Sequence, residues 1–216
     1  MFDRIAGVYD LMNSVMTAGL HHRWRERAAD LAELGPGARA LDVATGTGDL
    51  AIELARRVGP DGEVVGSDFS PGMLERARRK APELRFEEGD ALALPYPDDA
   101  FDAATVGFGA RNFADLDQGL REMTRVVRPG GKVVVLEITT PTKPPLSTFF
   151  RIWFDHVVPL LGRFDDAYTY LPNSVKRFPG PEALGGALAG VGLTDVRWIL
   201  TAGGIIALHH GRVAAG

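Results

Sequence analysis

Leu41-Asp42-Val43-Ala44-Thr45-Gly46-Thr47-Gly48-Asp49 is an apolar strand that breaks at two glycines and restarts as a helix, Leu50 to Arg57. Twenty residues after Gly48, the segment Val64-Val65-Gly66-Ser67-Asp68 ends a second strand on a carboxylate. Glycines lack a Cβ, so the backbone at 46 and 48 can approach a ligand closely, and the new helix offers its unpaired N–H groups. A carboxylate at 68 suits the two hydroxyls of a ribose. The layout predicts a nucleoside-containing cofactor. Read on through Leu50 and Ala51, the loop also fits G-x-G-x-x-A, so on these residues alone a nicotinamide dehydrogenase stays open.

The same alternation runs outward from this stretch. Strands are expected at Arg39 to Ala44, Glu63 to Asp68, Leu84 to Glu88, Asp102 to Gly107 and Lys132 to Ile138. Helices are expected between them at Asp49 to Val58, at Pro71 to Lys80 behind an N-terminal proline, and at Asp115 to Val127 ahead of Pro129-Gly130-Gly131. Such alternation means a parallel α/β sheet with its ligand site at the carboxyl ends of the strands. Residues 1–34 carry Ile5, Val8, Tyr9, Met12, Val15 and Met16, then Trp24, Ala28 and Leu31, at helical spacing, and form an N-terminal cap. Beyond Thr140-Pro141 the texture changes. Residues 140–180 read as an inserted lid segment whose helix spans Leu146 to Leu161 and is apolar on a wide face. A last helix, Pro181 to Val191, precedes two strands at Asp195 to Leu200 and Gly204 to His210, expected as a hairpin.

At 216 residues, 45% apolar and 24% charged, the chain suits one globular domain, residues 1–216, with a substantial core. A net charge of −4 argues against nucleic acid, which needs a basic face. The chain has no cysteine, which excludes disulfides and thiolate metal sites, and no metal centre is expected. Met1-Phe2-Asp3-Arg4 lacks the basic-then-apolar order of a signal peptide, and no apolar run reaches the roughly eighteen residues of a membrane span. A cytoplasmic protein is expected; peripheral contact with the inner face of a membrane and homo-oligomerisation stay open.

Three further features choose among cofactors. Gly89-Asp90-Ala91 ends the third strand with a carboxylate and an N–H placed to read an adenine edge. Leu94-Pro95-Tyr96-Pro97-Asp98-Asp99-Ala100-Phe101-Asp102 leads directly into the fourth strand, and Arg128-Pro129-Gly130-Gly131 turns a helix into the fifth. A dehydrogenase needs neither of these two. Together with Asp42 to Asp49 and Asp68 they resemble the class I methyltransferase pattern, which uses S-adenosylmethionine. A narrower resemblance covers nearly the whole chain. Phe2-Asp3-Arg4-Ile5-Ala6, Tyr9 to Asn13, His21 with Trp24-Arg25, Asp68-Phe69-Ser70, Phe108-Gly109-Ala110-Arg111-Asn112, Tyr168 to Leu171 with Ser174, Phe178-Pro179 and Gly203 to His209 resemble the menaquinone/ubiquinone biosynthesis C-methyltransferase family.

That resemblance implies a Rossmann-like, seven-stranded, mostly parallel sheet with helices on both faces. It implies that Thr47, Asp68, Asp90 with Ala91, and Gly107 line the cofactor site, beside Asp42, Gly46, Gly48 and Phe69 of the same motifs. Part of the family has serine where Gly107 stands, so only backbone contact is expected there. It further implies C-methylation of a demethylated polyprenyl quinol, demethylmenaquinol or its benzoquinol counterpart. Carbon becomes nucleophilic when the neighbouring hydroxyl loses its proton, so the protein must supply a base and a group for the oxyanion. Arg111, beside Asn112, is the choice for the oxyanion; a guanidinium stays protonated, so water polarised by Arg111, Tyr9 or His21 is the expected base. His209 and His210 alternate on a strand, and at most one can face the site.

Plainer roles stand beside these. Asp42 also suits a cap on loop N–H groups, Arg111 a pair with Asp115 or Asp117, His21 and His22 a solvated helix face, and Tyr9 the core. Another phenolic or lipid acceptor, or a non-catalytic S-adenosylmethionine-binding protein, stays open. Head group, tail length and the base are not legible, nor is whether 146–161 covers a tail or rests on a membrane.

Overall fold

The computed structural model describes residues 21–141, 144, 147–148 and 174–215. Tyr9, the first part of the cap and nearly all of the expected lid helix lie outside the described residues.

Seven strands form one sheet: β1 (Arg39–Val43), β2 (Glu63–Asp68), β3 (Arg85–Glu88), β4 (Phe101–Gly107), β5 (Val127–Ile138), β6 (Leu193–Thr201) and β7 (Ile206–Val213). Their order is β3-β2-β1-β4-β5-β7-β6. The first five pair in parallel, and β7 inserts antiparallel between β5 and β6, making the expected hairpin. The helices are α1 (His21–Leu31), α2 (Asp49–Val58), α3 (Pro71–Lys80), α4 (Leu116–Arg125) and α5 (Pro181–Gly190).

Period-two alternation splits the core into two layers. Val134 and Leu136 of β5 join Ala28, Leu50, Leu54 and Phe86 on one face, while Val133 and Val135 join Leu120, Met123, Leu184 and Leu188 on the other. Strands buried on both faces read as continuous apolar runs, which is why Lys132 to Ile138 was legible. Several boundaries shift by one to three residues, and the largest difference is at the start of β5. β5 begins at Val127, not Lys132, because Val127 already pairs with Phe101 before the register jumps to Ala103 with Lys132. Pro129-Gly130-Gly131 is thus a bulge within the strand and not a turn ahead of it. Gly131 fits there because a Cβ would stand 2.5 Å from the carbonyl oxygen of Asp102. The non-consecutive strands β1 and β4 are neighbours with β2 and β5 outside them, so the order reverses between β1 and β4, and a crevice opens at their carboxyl ends. Among the described residues no helix is long and apolar enough to cross a membrane.

Candidate active site

The crevice is a cleft of about 400 Å³ built from the loops after β1, β2, β3 and β4, with α1 closing one side. The first loop leaves β1 through Ala44 at φ +50, then Gly46 at +58 and Gly48 at +83, so three residues within five are left-handed. Gly48 is the N-cap of α2, and a Cβ on it would lie 2.8 Å from the Phe86 ring. Glycine is therefore required for close packing as well as for backbone conformation. Phe108, at φ +61 beyond β4, is a second non-glycine residue in this region. Ala44 and Phe108 each cost about 1–3 kcal/mol in backbone strain, and both line the cleft.

Two buried aspartates organise the loops. Asp68 accepts from the Gly46 N–H at 2.8 Å and, with its other oxygen, from the Ser70 N–H at 2.9 Å. It ties the loop after β1 to the start of α3, where Ser70 in turn caps the Met73 N–H. A carboxylate at the end of β2 suits the two hydroxyls of a ribose. Asp42 accepts from the hydroxyls of Thr45 at 2.6 Å and Thr105 at 2.7 Å, locking β1 to β4. Burial pushes its carboxyl up to about 6, against the opposing pull of those two hydrogen bonds and the Arg25 charge. The cap on the glycine-loop N–H therefore comes from Asp68, and Asp42 holds hydroxyls instead.

Of the residues expected at the cofactor, Asp42, Gly46, Thr47, Asp68, Phe69, Asp90, Ala91 and Gly107 all line this one cleft; Gly48 stands behind it, against Phe86. Phe69 is 57% exposed, an unusual state for a ring. Asp90 accepts from the Leu92 N–H at 2.9 Å, so its side chain is oriented by its own turn. At Gly107 a Cβ would sit 3.1 Å from Leu50 Cδ2, in keeping with backbone contact alone.

The residues expected to do chemistry divide. Asn112 lines the cleft together with Phe113 and Ala114. Arg111 is turned the other way: its guanidinium pairs with Glu137 of β5 at 2.7 Å, also donates to the Phe108 carbonyl, and the two side chains are 5% and 0% exposed. Its partner is thus neither Asp115 nor Asp117. His21 is buried while His22 is exposed, their rings tilted by 42° with centres 4.0 Å apart, so the pair is not a simple solvated face. His209 packs on Trp198 and binds the Pro181 carbonyl at 2.9 Å, on the α5 side of the sheet; neither it nor His210 lines the cleft. Burial holds the His209 imidazole below its usual pKa. Arg25 was missed as a site residue: it lines the cleft, reaches Asp49 at 3.5 Å and lies over the Phe108 ring. The available signal was its place on the buried stripe of α1 with His21, Ala28 and Ala29, where a charged residue needs a reason.

This sheet order, with a glycine loop after β1 and a carboxylate ending β2, defines a class I S-adenosylmethionine-dependent methyltransferase. The fold matches that of a SAM-dependent methyltransferase from Aquifex aeolicus with TM-score 0.65 at 19% identity, over 88% of this chain and 89% of that one. Residues 1–213 match the model of the ubiE/COQ5 methyltransferase family, and the chain belongs to that family. It is 50% identical to a demethylmenaquinone methyltransferase of Thermus thermophilus over 98% of this chain and 99% of the relative. It is 38% identical to the ubiquinone/menaquinone biosynthesis C-methyltransferase UbiE of Teredinibacter turnerae, over 99% of this chain and 90% of the relative. The chain is therefore an S-adenosylmethionine-dependent enzyme. The residues present fit that cofactor: an acid on the strand carrying the glycine loop, an exposed ring, a backbone cradle without side chains, and an oriented carboxylate at the third strand.

Proposed function

We propose that this enzyme methylates a ring carbon of a demethylated isoprenoid quinol and that its acceptor is demethylmenaquinol. The observation that carries the reading is the 50% identity, end to end, with a demethylmenaquinone methyltransferase, against 38% for the relative named for both quinones. When bound, S-adenosylmethionine supplies a methyl group on a sulfonium, already activated for displacement, so the protein's task is positioning and making carbon nucleophilic.

The side chains divide that task. Asp68, Thr47, Asp90, Ala91, Phe69 and the backbone at Gly46 and Gly107 hold and orient the cofactor. Asn112, in the turn after β4, forms part of the wall toward the acceptor. Asn112 faces the cleft and is suited to hydrogen-bond a quinol oxyanion, while the Arg111 charge lies behind it, neutralised by Glu137. Proton removal from the quinol hydroxyl falls to water polarised by Tyr9 or His21. The polyprenyl tail calls for a cytoplasmic enzyme that meets its substrate at the membrane surface.

The test is methyl transfer from labelled S-adenosylmethionine to short-tailed demethylmenaquinone, with and without reductant. Transfer is expected only under reduction, because only the quinol has a hydroxyl to ionise. Transfer to a demethylated benzoquinol in preference would overturn the head group, and none to any reduced quinone, with cofactor binding intact, would overturn the reading.

A further inference from the structure

The cofactor of this cleft is a zwitterion at one end and a cation at its sulfur, and the cleft's charges are not evenly matched to it. Asp42, Asp49, Asp68 and Asp90 all line the wall, and among the described lining residues Arg25 is the sole cation. Acids suit a sulfonium and an ammonium. A carboxylate among four aspartates needs a positive partner.

Arg25 stands where that partner is required. Its side chain is 9% exposed, held between Asp49 on one side and the Phe108 ring on the other, whose centre lies 5.5 Å from the guanidinium carbon. Nη2 makes the ion pair with Asp49 at the long distance of 3.5 Å. Nη1 is buried and has no hydrogen-bond partner. An unsatisfied buried guanidinium N–H costs the full desolvation of a charged donor, so a native protein keeps one only where something else completes it. Asp49 does not compete strongly for it, because Lys80 pairs with the other oxygen of the same carboxylate. The planar fork of Arg25, a residue that lines the cleft, thus has one arm anchored and one arm buried without a hydrogen-bond partner.

We propose that Arg25 receives the carboxylate of the cofactor's methionine portion, with Nη1 as donor. The inference rests on the S-adenosylmethionine reading of the site and adds to it the element that reads the amino-acid end. α1 is then part of the binding site and not merely a cap over the core: its buried face delivers the one charge that the loops of the sheet lack. The residue also gives a basis for discrimination. Nucleosides that share the adenine, ribose and sulfur but lack the carboxylate satisfy every other contact and leave Nη1 unpaired.

The test uses binding alone and needs no methyl acceptor, so its failure and a failure of the quinol assignment are separable. Affinities of S-adenosylhomocysteine and of its decarboxylated analogue are measured by titration calorimetry for the wild-type protein and for Arg25→Gln. The wild type is expected to prefer S-adenosylhomocysteine by roughly tenfold to a hundredfold, the worth of a charged hydrogen bond. In Arg25→Gln that preference collapses toward unity while the affinity for the decarboxylated analogue stays near the wild-type value. A wild type with no preference, or a glutamine variant that keeps it, overturns the proposal. So does an equal loss of both ligands in a folded variant, which would make Arg25 a support for the cleft as a whole. Should the glutamine protein not fold, Arg25→Lys keeps the charge beside Asp49 but loses the fork. Its preference is expected to fall several-fold, and an unchanged preference overturns the assignment.

Discussion

Asp42 is sealed from water yet holds two hydroxyl hydrogens, and the two facts oppose each other. Desolvation favours the neutral acid; the Thr45 and Thr105 hydroxyls and the Arg25 charge favour the anion, and desolvation wins, leaving the group at about 6 against an ordinary 3.8. A carboxyl raised in the fold binds its proton more tightly there than in the unfolded chain. Stability attached to Asp42 is therefore greatest in acid and is lost as pH rises from about 4 through about 6. Asp42→Asn abolishes that titration while keeping an acceptor for one hydroxyl and a donor to the other. Urea unfolding of both proteins from pH 4 to pH 8 is expected to show the asparagine variant gaining on wild type, by on the order of 3 kcal/mol across the range. A difference that does not change with pH would mean that Asp42 stays ionised in the fold throughout. Cofactor binding to the variant reads the other side of the matter, since an acid at the end of β1 is retained at this cost only if the site uses it.

The loop between β1 and α2 shows how a backbone path becomes a binding cradle, and it separates two glycines that look equivalent in sequence. Both have positive φ, but only Gly48 is backed by a neighbour, the Phe86 ring of β3. Gly46→Ala adds only left-handed strain, about 1–2 kcal/mol. Gly48→Ala adds that strain and a collision between the top of α2 and the far strand of the sheet, about 2–4 kcal/mol in total. Urea midpoints for the single variants, and for Gly48→Ala combined with Phe86→Leu, check the division. The double variant is expected to lose about 1 kcal/mol less than the sum, and strict additivity would refute the collision. The limits of sequence reading follow from the same physics. β1, α2, β2 and α3 were legible because apolar runs, glycine breaks, a proline and a terminal carboxylate are local signals. The start of β5 was not, since a Pro-Gly-Gly bulge and a turn look alike until Val127 is seen paired with Phe101. Arg111 read as a surface or site cation because its true partner, Glu137, lies on another strand, and no spacing along the chain encodes that contact. Arg25 was legible only as a charge misplaced on a buried helix face, which signals a partner without saying whether protein or ligand provides it.

The motif that opened two cofactor readings closes to one when the sheet is considered as a unit. G-x-G-x-x-A followed by an acid serves nicotinamide dinucleotides equally well, yet here β7 runs antiparallel between β5 and β6. The second parallel half that would carry a nicotinamide across the crevice is therefore replaced by a hairpin. The cleft of about 400 Å³, with Asn112 to Ala114 in its lining, is also of a size for one nucleoside with an amino-acid tail. Ligand linkage turns that shape into a measurement on the intact protein. Anything that binds the folded chain alone stabilises it by RT ln(1 + [L]/Kd), about 2.7 kcal/mol at a hundredfold excess over Kd. For a chain of this length that is a rise in Tm of roughly 5–10 °C. S-Adenosylhomocysteine is expected to give this rise in a thermal melt, scaling with the logarithm of its concentration, while NAD at the same concentrations leaves Tm unmoved. Protection by NAD would require the hairpin half of the sheet to form a dinucleotide site after all. Protection by both would place the specificity in the adenosine moiety alone, with the loops after β3 and β4 contributing nothing to the choice of cofactor.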